Sequence, residues 1–233
     1  EVMRDMAGLD GLIHLKDAFE DDNQFHIVQE FQAGGDLLKH LNQAPKQFNE
    51  AHARRVFLRL VDIVLGMHDR NFLHRDIKPD NILLSYNSES SEDFELKLCD
   101  FGFTCSTVDE NGHQVCLTHF AGTPFYVAPE VVMCNNYGKS ADVWSLGCVL
   151  YTLLSGTPPF YSPFLAPAQF IERVKARRLG NPCTFKKTVW NKVSDDARDL
   201  LRRLLNTNPS LRIPLRQVLR HPWCTAATLS NSP

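Results

Sequence analysis

Two short runs carry side chains whose types could do chemistry together. His74-Arg75-Asp76-Ile77-Lys78-Pro79-Asp80-Asn81 sets a carboxylate, an ammonium and a carboxamide within one loop, and Leu98-Cys99-Asp100-Phe101-Gly102 adds a second carboxylate. Phosphoryl transfer to a hydroxyl needs this set of groups. A carboxylate must orient the attacking hydroxyl and take its proton, a cation must offset charge on the moving group, and hard oxygen donors must hold Mg2+. Asp76, Lys78 and the pair Asn81 and Asp100 supply these groups by type. Either run alone is weak support, because patterns this short recur by chance.

The elements that must position these groups can be read from periodicity. Val56, Leu60, Ile63, Val64 and Met67 share one helical face behind the capping residue Asn49, and the run breaks at Asp69-Arg70-Asn71, just before the loop. A short strand over 96–99 leads into Asp100. Residues 11–19 and 24–31 are predicted strands joined by the polar Glu20-Asp21-Asp22-Asn23. From Ser140, the residues Val143, Leu146, Val149, Leu150, Leu153 and Leu154 predict a helix ending at Ser155-Gly156, apolar on so much of its circumference that it should be central. A third helix starts at Ser194, with Asp195 and Asp196 at its positive end. Glu1 to Met6 reads as the tail of a helix, and the acidic, serine-rich stretch 87–93 as an exposed hairpin insertion. The class expected is α+β, a small strand-bearing part followed by a larger helical one.

Ala128-Pro129-Glu130 follows the first two runs in order, with Gly122-Thr123-Pro124-Phe125-Tyr126-Val127 before it and Asp142-Val143-Trp144-Ser145-Leu146-Gly147 after it. Through these motifs, from about Glu1 to Trp223, the sequence resembles the protein-kinase family. The resemblance implies a two-lobe α+β fold, with 1–233 as a catalytic domain, 1–32 the remainder of a small lobe and its hinge, and 33–233 the large lobe. It implies ATP and Mg2+ as cofactors. Asp76 is then the catalytic base, Lys78 the partner of the transferring phosphate, and Asn81 and Asp100 the metal ligands. Glu30, Phe31 and Gln32 fall in the hinge stretch whose backbone meets adenine, Gln29 at the gatekeeper position, Leu83 below the ring, and Asp36 against the ribose. Arg75 matches a residue that pairs with a phosphorylated activation segment. Within that segment Thr104, Ser106, Thr107 and Thr118 could take phosphate, Thr118 being preferred, while His119 stands where several related kinases carry their threonine. The resemblance also pairs Glu130 with Arg212 and has Asp142 brace the catalytic loop, both structural roles.

Lys78 together with Thr123 before Pro124 matches the serine/threonine pattern. Phe103, after the Asp-Phe-Gly triplet, fits either a preference for serine or a packing aromatic. Asp36 and Asp80 suggest a protein substrate with a basic residue near the acceptor serine, although both could be solvated surface charges. Tyr126 to Glu130 and Ser155-Gly156-Thr157-Pro158-Pro159-Phe160 bring the sequence nearest to the calcium/calmodulin-related kinases, and no D-x-[DN]-x-[DN]-G loop occurs. No G-x-G-x-x-G and no V-A-I-K-like lysine precedes the strand pair, and Lys16 lies too late to serve. Aligning Met3 and Leu15 with the family's apolar spine places the family's helix glutamate before Glu1. The chain is therefore expected to lack the front of the small lobe and to bind ATP poorly as given. A noncatalytic scaffold built on the large lobe is the alternative reading, and a small-molecule phosphotransferase is disfavoured by the long activation segment.

Composition excludes little but points the same way. A net charge of -2 over 233 residues implies no nucleic-acid or anionic-membrane field. The seven cysteines include no C-x-x-C pair and read as free thiols of a reducing compartment, each expected to act as a small buried hydrophobe. No signal-peptide pattern and no bilayer-length apolar run is found, so a cytosolic or nuclear location is expected.

Overall fold

Consecutive apolar residues at 12 and 13 and the alternating residues that follow them go to different places. The computed structural model describes residues 2–43, 49–86, 94–161, 164–175, 185 and 188–226. Helix α1 (Val2–Asp5) leads to Met6, Leu12 and Ile13, all buried. Leu12 pairs in parallel with Leu98: the Ile13 amide donates to the Leu98 carbonyl at 2.9 Å, and the Leu98 amide to the Gly11 carbonyl at 2.8 Å. The strand expected from Gly11 therefore begins later, as β1 (Leu15–Glu20), antiparallel to β2 (Phe25–Gln29). The physical reason is burial. Leu12 and Ile13 are both enclosed by the body of the protein, whereas nearly every residue of β1 and β2 is open to solvent. Asp21 closes the turn between them by accepting the amides of Asn23 and Gln24, both at 2.9 Å.

The connector from 30 to 36 then crosses to the helical body. Gly34 permits this, since a Cβ there would sit 2.0 Å from the Leu84 carbonyl oxygen. Asp36 caps α2 (Leu37–Gln43) by accepting the Lys39 amide at 2.7 Å. Asn49 caps α3 (Glu50–Asp69) through the His52 amide at 2.8 Å, and the apolar stripe expected for this helix is buried. After α3 come β3 (Phe72–Leu73), a 3-10 turn (Pro79–Asn81) and β4 (Ile82–Tyr86). Strand β4 pairs antiparallel with β5 (Phe94–Leu98), and β3 with β6 (Cys105–Ser106), so the structure has three two-stranded sheets among the described residues. The insertion expected at 87–93 lies outside the described residues.

Helices α4 (Pro129–Val132), α5 (Ser140–Ser155), α6 (Pro167–Lys175), α7 (Asp195–Leu204), α8 (Leu215–Val218) and α9 (Pro222–Thr225) complete the body. Every residue of α5 from Ala141 to Leu154 is buried, and the helix packs between α3 and α7. Gly156 ends it at φ 77°. Full burial of each large side chain on this helix stabilises by about 1.5–3 kcal/mol, so α5 is the frame on which the loops hang. Ser194 caps α7 through the Ala197 amide at 3.2 Å. The α+β expectation is met. Of the six free cysteines described, Cys148 and Cys224 are buried, whereas Cys116 and Cys134 are exposed and do not act as buried hydrophobes. Cys183 lies outside the described residues. Among the described residues no helix is long and apolar enough to cross a membrane.

Candidate active site

The loop between β3 and β4 is built around one buried carboxylate. Asp142, in the first turn of α5, is fully buried and accepts from three donors. These are the His74 amide at 3.0 Å, the Arg75 amide at 2.9 Å and His68 Nε2 at 2.8 Å. Burial pushes the Asp142 carboxyl up, and the bonds from His68 and the Arg75 amide outweigh it, so its pKa lies below the ordinary value. Arg75 is held at φ 68°, an uncommon backbone for a side chain of its kind. His74 is buried as well. Its Nδ1 accepts the Asp76 amide at 3.2 Å and its Nε2-H donates to the Cys99 carbonyl at 3.1 Å, which requires the neutral ring. Burial drives the His74 pKa down in the same sense, against the opposing pull of Asp142. The loop is thereby tied to α5 on one side and to the chain entering Asp100 on the other.

Four polar side chains meet on this base. Asp76 is buried; its Oδ2 accepts from Lys78 Nζ at 2.8 Å and Asn81 Nδ2 at 3.0 Å, and its Oδ1 from the Thr123 hydroxyl at 2.6 Å. Lys78 Nζ also donates to Thr123 Oγ1 at 2.8 Å. Thr123 reaches the loop because Gly122, at φ 112°, comes so near that a Cβ would stand 2.6 Å from the Arg75 carbonyl. A second bond from Asn81 Nδ2 to the Asp76 carbonyl, at 2.8 Å, fixes the carboxamide with its oxygen as the group left to offer. Asp100, at φ 63°, is exposed and accepts the Gly102 amide at 3.2 Å. It lines an open cleft of about 980 Å³ together with Met3, Gln29 and Phe101, whereas Asp76, Lys78 and Asn81 do not line that cleft. One carboxylate and one carboxamide oxygen suit a hard divalent cation whose shell is completed by phosphate oxygens and water. Among the described residues no cluster of three or more His, Cys, Asp or Glu side chains could cage a metal.

The connector residues are placed differently from a simple binding surface. The Glu30 carboxylate is engaged, its Oε1 accepting Lys97 Nζ at 2.6 Å and the His14 amide at 2.9 Å. Its amide donates to the His14 carbonyl at 3.0 Å, so what Glu30 can offer a ligand is its backbone carbonyl. Leu83 is half-buried and pairs with Asp36, one of whose oxygens is committed to capping α2. The Gln32 carbonyl accepts the Gly35 amide at 3.4 Å, a weak turn. Gln29 is exposed and its side-chain Nε2 donates weakly to Met3 Sδ at 3.4 Å. Lys97 was not singled out by sequence reasoning. The available signal was a lysine inside the short run Leu96-Lys97-Leu98, where a buried cation must find an acid.

Arg75 ties the stretch that follows Asp100 to the loop. Arg75 Nε donates to the Phe103 carbonyl at 2.5 Å, and Nη1 to His119 Nε2 at 2.7 Å and Tyr137 Oη at 3.1 Å. Thr118 is exposed, and the neighbour that meets Arg75 is His119. Phe103 is partly exposed. Glu130 and Arg212 form a buried two-pronged pair at 2.6 and 3.0 Å. Arg212 also donates to the Ser140 and Asn206 carbonyls and lies 5.1 Å from the Trp144 ring.

A family model described as "Protein kinase domain" matches residues 1–224. Among similar proteins, calcium-dependent protein kinase 7 of Arabidopsis thaliana is 38% identical over 223 residues, covering 96% of this chain and 39% of the relative. Calcium-dependent protein kinase 7 of Oryza sativa subsp. japonica is 37% identical, covering 96% and 38%, and calcium-dependent protein kinase 5 of Arabidopsis thaliana is 37% identical, covering 96% and 37%. The chain thus spans under two fifths of the length of these curated relatives.

Proposed function

This chain belongs to the protein kinase family, and from that premise we propose that it carries the phosphotransfer centre of a serine/threonine kinase, moving the terminal phosphoryl group of ATP to a protein hydroxyl. The observation that carries the proposal is the junction of Asp76, Lys78 and Thr123, three side chains bonded to one another across 47 residues of chain. The Asp76 carboxylate would orient the substrate hydroxyl and receive its proton as the new oxygen–phosphorus bond forms. Lys78 would meet the charge on the transferring group while the bond to the leaving ADP breaks. Thr123 keeps both groups aimed and lies beside the path of an incoming peptide. Asn81 and Asp100 would hold a divalent metal, Mg2+ by the hardness of their oxygens, which supplies charge neutralisation to the phosphates.

Nucleotide contacts fall to the connector: backbone at Glu30 and Gln32, Leu83 beneath the base and Asp36 near the ribose. We assign residues 1–32 to the small lobe and hinge and 33–233 to the large lobe. Asp36 and Asp80 favour a substrate with arginine near the acceptor, and a cytosolic or nuclear location suits the free thiols. Arg75 would respond to phosphate on the activation segment, and the braces Asp142 and Glu130–Arg212 would keep the loop in place. Full-length protein incubated with radiolabelled ATP, Mg2+ and matched serine and tyrosine peptides tests the reading. Metal-dependent label on the serine peptide is expected, more so with arginine nearby. Label on tyrosine alone, or none from folded protein, would overturn it.

A further inference from the structure

The connector between 30 and 36 is pinned at both ends to the β4–β5 hairpin. At its far end Asp36 pairs with Leu83, and the Leu84 amide donates to the Gly35 carbonyl at 3.0 Å. At its near end the Glu30 amide bonds the His14 carbonyl, next to the Ile13–Leu98 bond, and one side chain adds a direct tie to the hairpin. Lys97 stands opposite Leu83 in the β4–β5 register, and its ammonium reaches Glu30 at 2.6 Å and Glu95 at 3.2 Å. The same Glu30 oxygen takes the His14 amide, so Lys97, the connector and the chain entering β1 meet at one atom. Both faces of the β1–β2 sheet are largely open, so the strands themselves add little to this hold.

The pair is also better shielded than a surface ion pair. The Lys97 side chain is 9% exposed and that of Glu30 21%. Burial alone would lower the Lys97 pKa and raise that of Glu30, yet each is shifted the other way by its partner. Glu95, 47% exposed, is the weaker of the two partners of Lys97. A lysine three residues before Asp100, and opposite Leu83, is placed to set how the connector backbone lies against both.

We propose that Lys97 is a positioning residue for the nucleotide, its grip on Glu30 fixing the connector at the separation from Leu83 that the base requires. This rests on the phosphotransfer reading above, since it gives Leu83 and the connector their ligand. Lys97 touches no reacting atom, so its loss should weaken nucleotide capture rather than the chemical step.

Full-length protein with Lys97→Met, Glu30→Gln, both together, and Lys97→Arg separates the outcomes. Each single change is expected to raise KM for ATP by about five- to tenfold while kcat moves less than about twofold, and the double variant should be no worse than either single one. Lys97→Arg should recover most of the loss. Additive effects, an unchanged KM, or an equal fall in kcat would overturn the proposal. Should Lys97→Met fail to fold, the isosteric Glu30→Gln carries the test alone. Hydrogen exchange at the His14 amide provides a readout independent of turnover: faster exchange in Lys97→Met and in Glu30→Ala, which leaves that amide no carboxylate to bond, is expected, and no change refutes the clamp. If wild-type protein transfers no phosphate, the functional reading falls, and the exchange result still decides whether Lys97 and Glu30 hold the connector.

Discussion

Replacing Asp142 with asparagine changes one atom at the centre of the loop and should cost far more than its size suggests. Oδ2 of Asp142 receives both His68 Nε2 and the His74 amide, at 2.8 and 3.0 Å, and Oδ1 the Arg75 amide at 2.9 Å. The single oxygen of asparagine serves best where two donors converge, which turns its NH2 against the Arg75 amide. An orphaned buried donor costs about 1–3 kcal/mol, and the two retained bonds lose their charge assistance, so a total of about 2–4 kcal/mol follows. That is a large part of a typical stability of about 5–15 kcal/mol, yet the protein should still fold. Arg75 at φ 68° is held by the lost bond, and Asp76 is the next residue. Once released, the loop relaxes and Asp76 loses its aim, for which a fall in kcat of at least about tenfold is expected. Urea unfolding at neutral pH and steady-state phosphotransfer measure the two effects. A change in stability below about 0.5 kcal/mol would refute the reasoning about the three donors. Full turnover in a destabilised variant would refute the link from brace to chemistry.

Three further outcomes are expected. Thr123→Val removes the hydroxyl that joins Lys78 to Asp76; kcat should fall by about 10- to 100-fold with the melting temperature little changed, and Thr123→Ser should restore it in the same kinetic assay. Arg212→Met strands the buried Glu130 and should cost about 3–5 kcal/mol in denaturant titrations, while adding Glu130→Leu should recover much of it. His74 has its folded pKa below the usual 6.5, so the unfolded chain binds the proton first as pH drops. Its contribution is therefore complete above 6.5 and shrinks as pH falls toward the folded value, by at most about 1.4 kcal/mol per unit. Nitrogen NMR should find the ring neutral where a free imidazole is charged; a midpoint near the free value would count against its burial and the bond its Nδ1 accepts from the Asp76 amide.

The parts of the fold readable from sequence were those decided locally. Asn49, Ser194 and Gly156 mark helix ends because a cap satisfies backbone groups within a few residues. The uniform apolarity of α5 told of its central place for a similar reason: no face could be left in water. What could not be read depends on partners far along the chain. Residues 11–13 look like the start of β1 until Leu98, some 85 residues away, provides a parallel edge. The polar side chains of the loop from 74 to 81 stand out by type, but the hydroxyl bridge of Thr123 and the tautomer of His74 require distances. The resemblance concerns the backbone at Glu30, and only the fold shows that its carboxylate is committed to Lys97 and His14. That His119 lies beside Arg75 could not be read either, because the two stand 44 residues apart.

The most direct test of the site is the turnover of Asp76→Asn in the full-length protein, measured beside its affinity for ATP. The amide keeps the shape and can still hydrogen-bond to Thr123 or Lys78, but it cannot accept the substrate proton. A loss of about 10²- to 10⁴-fold in kcat, with nucleotide affinity within about twofold of wild type, is expected of a general base. Turnover retained within about tenfold would contradict the assignment of Asp76 and with it the proposed centre.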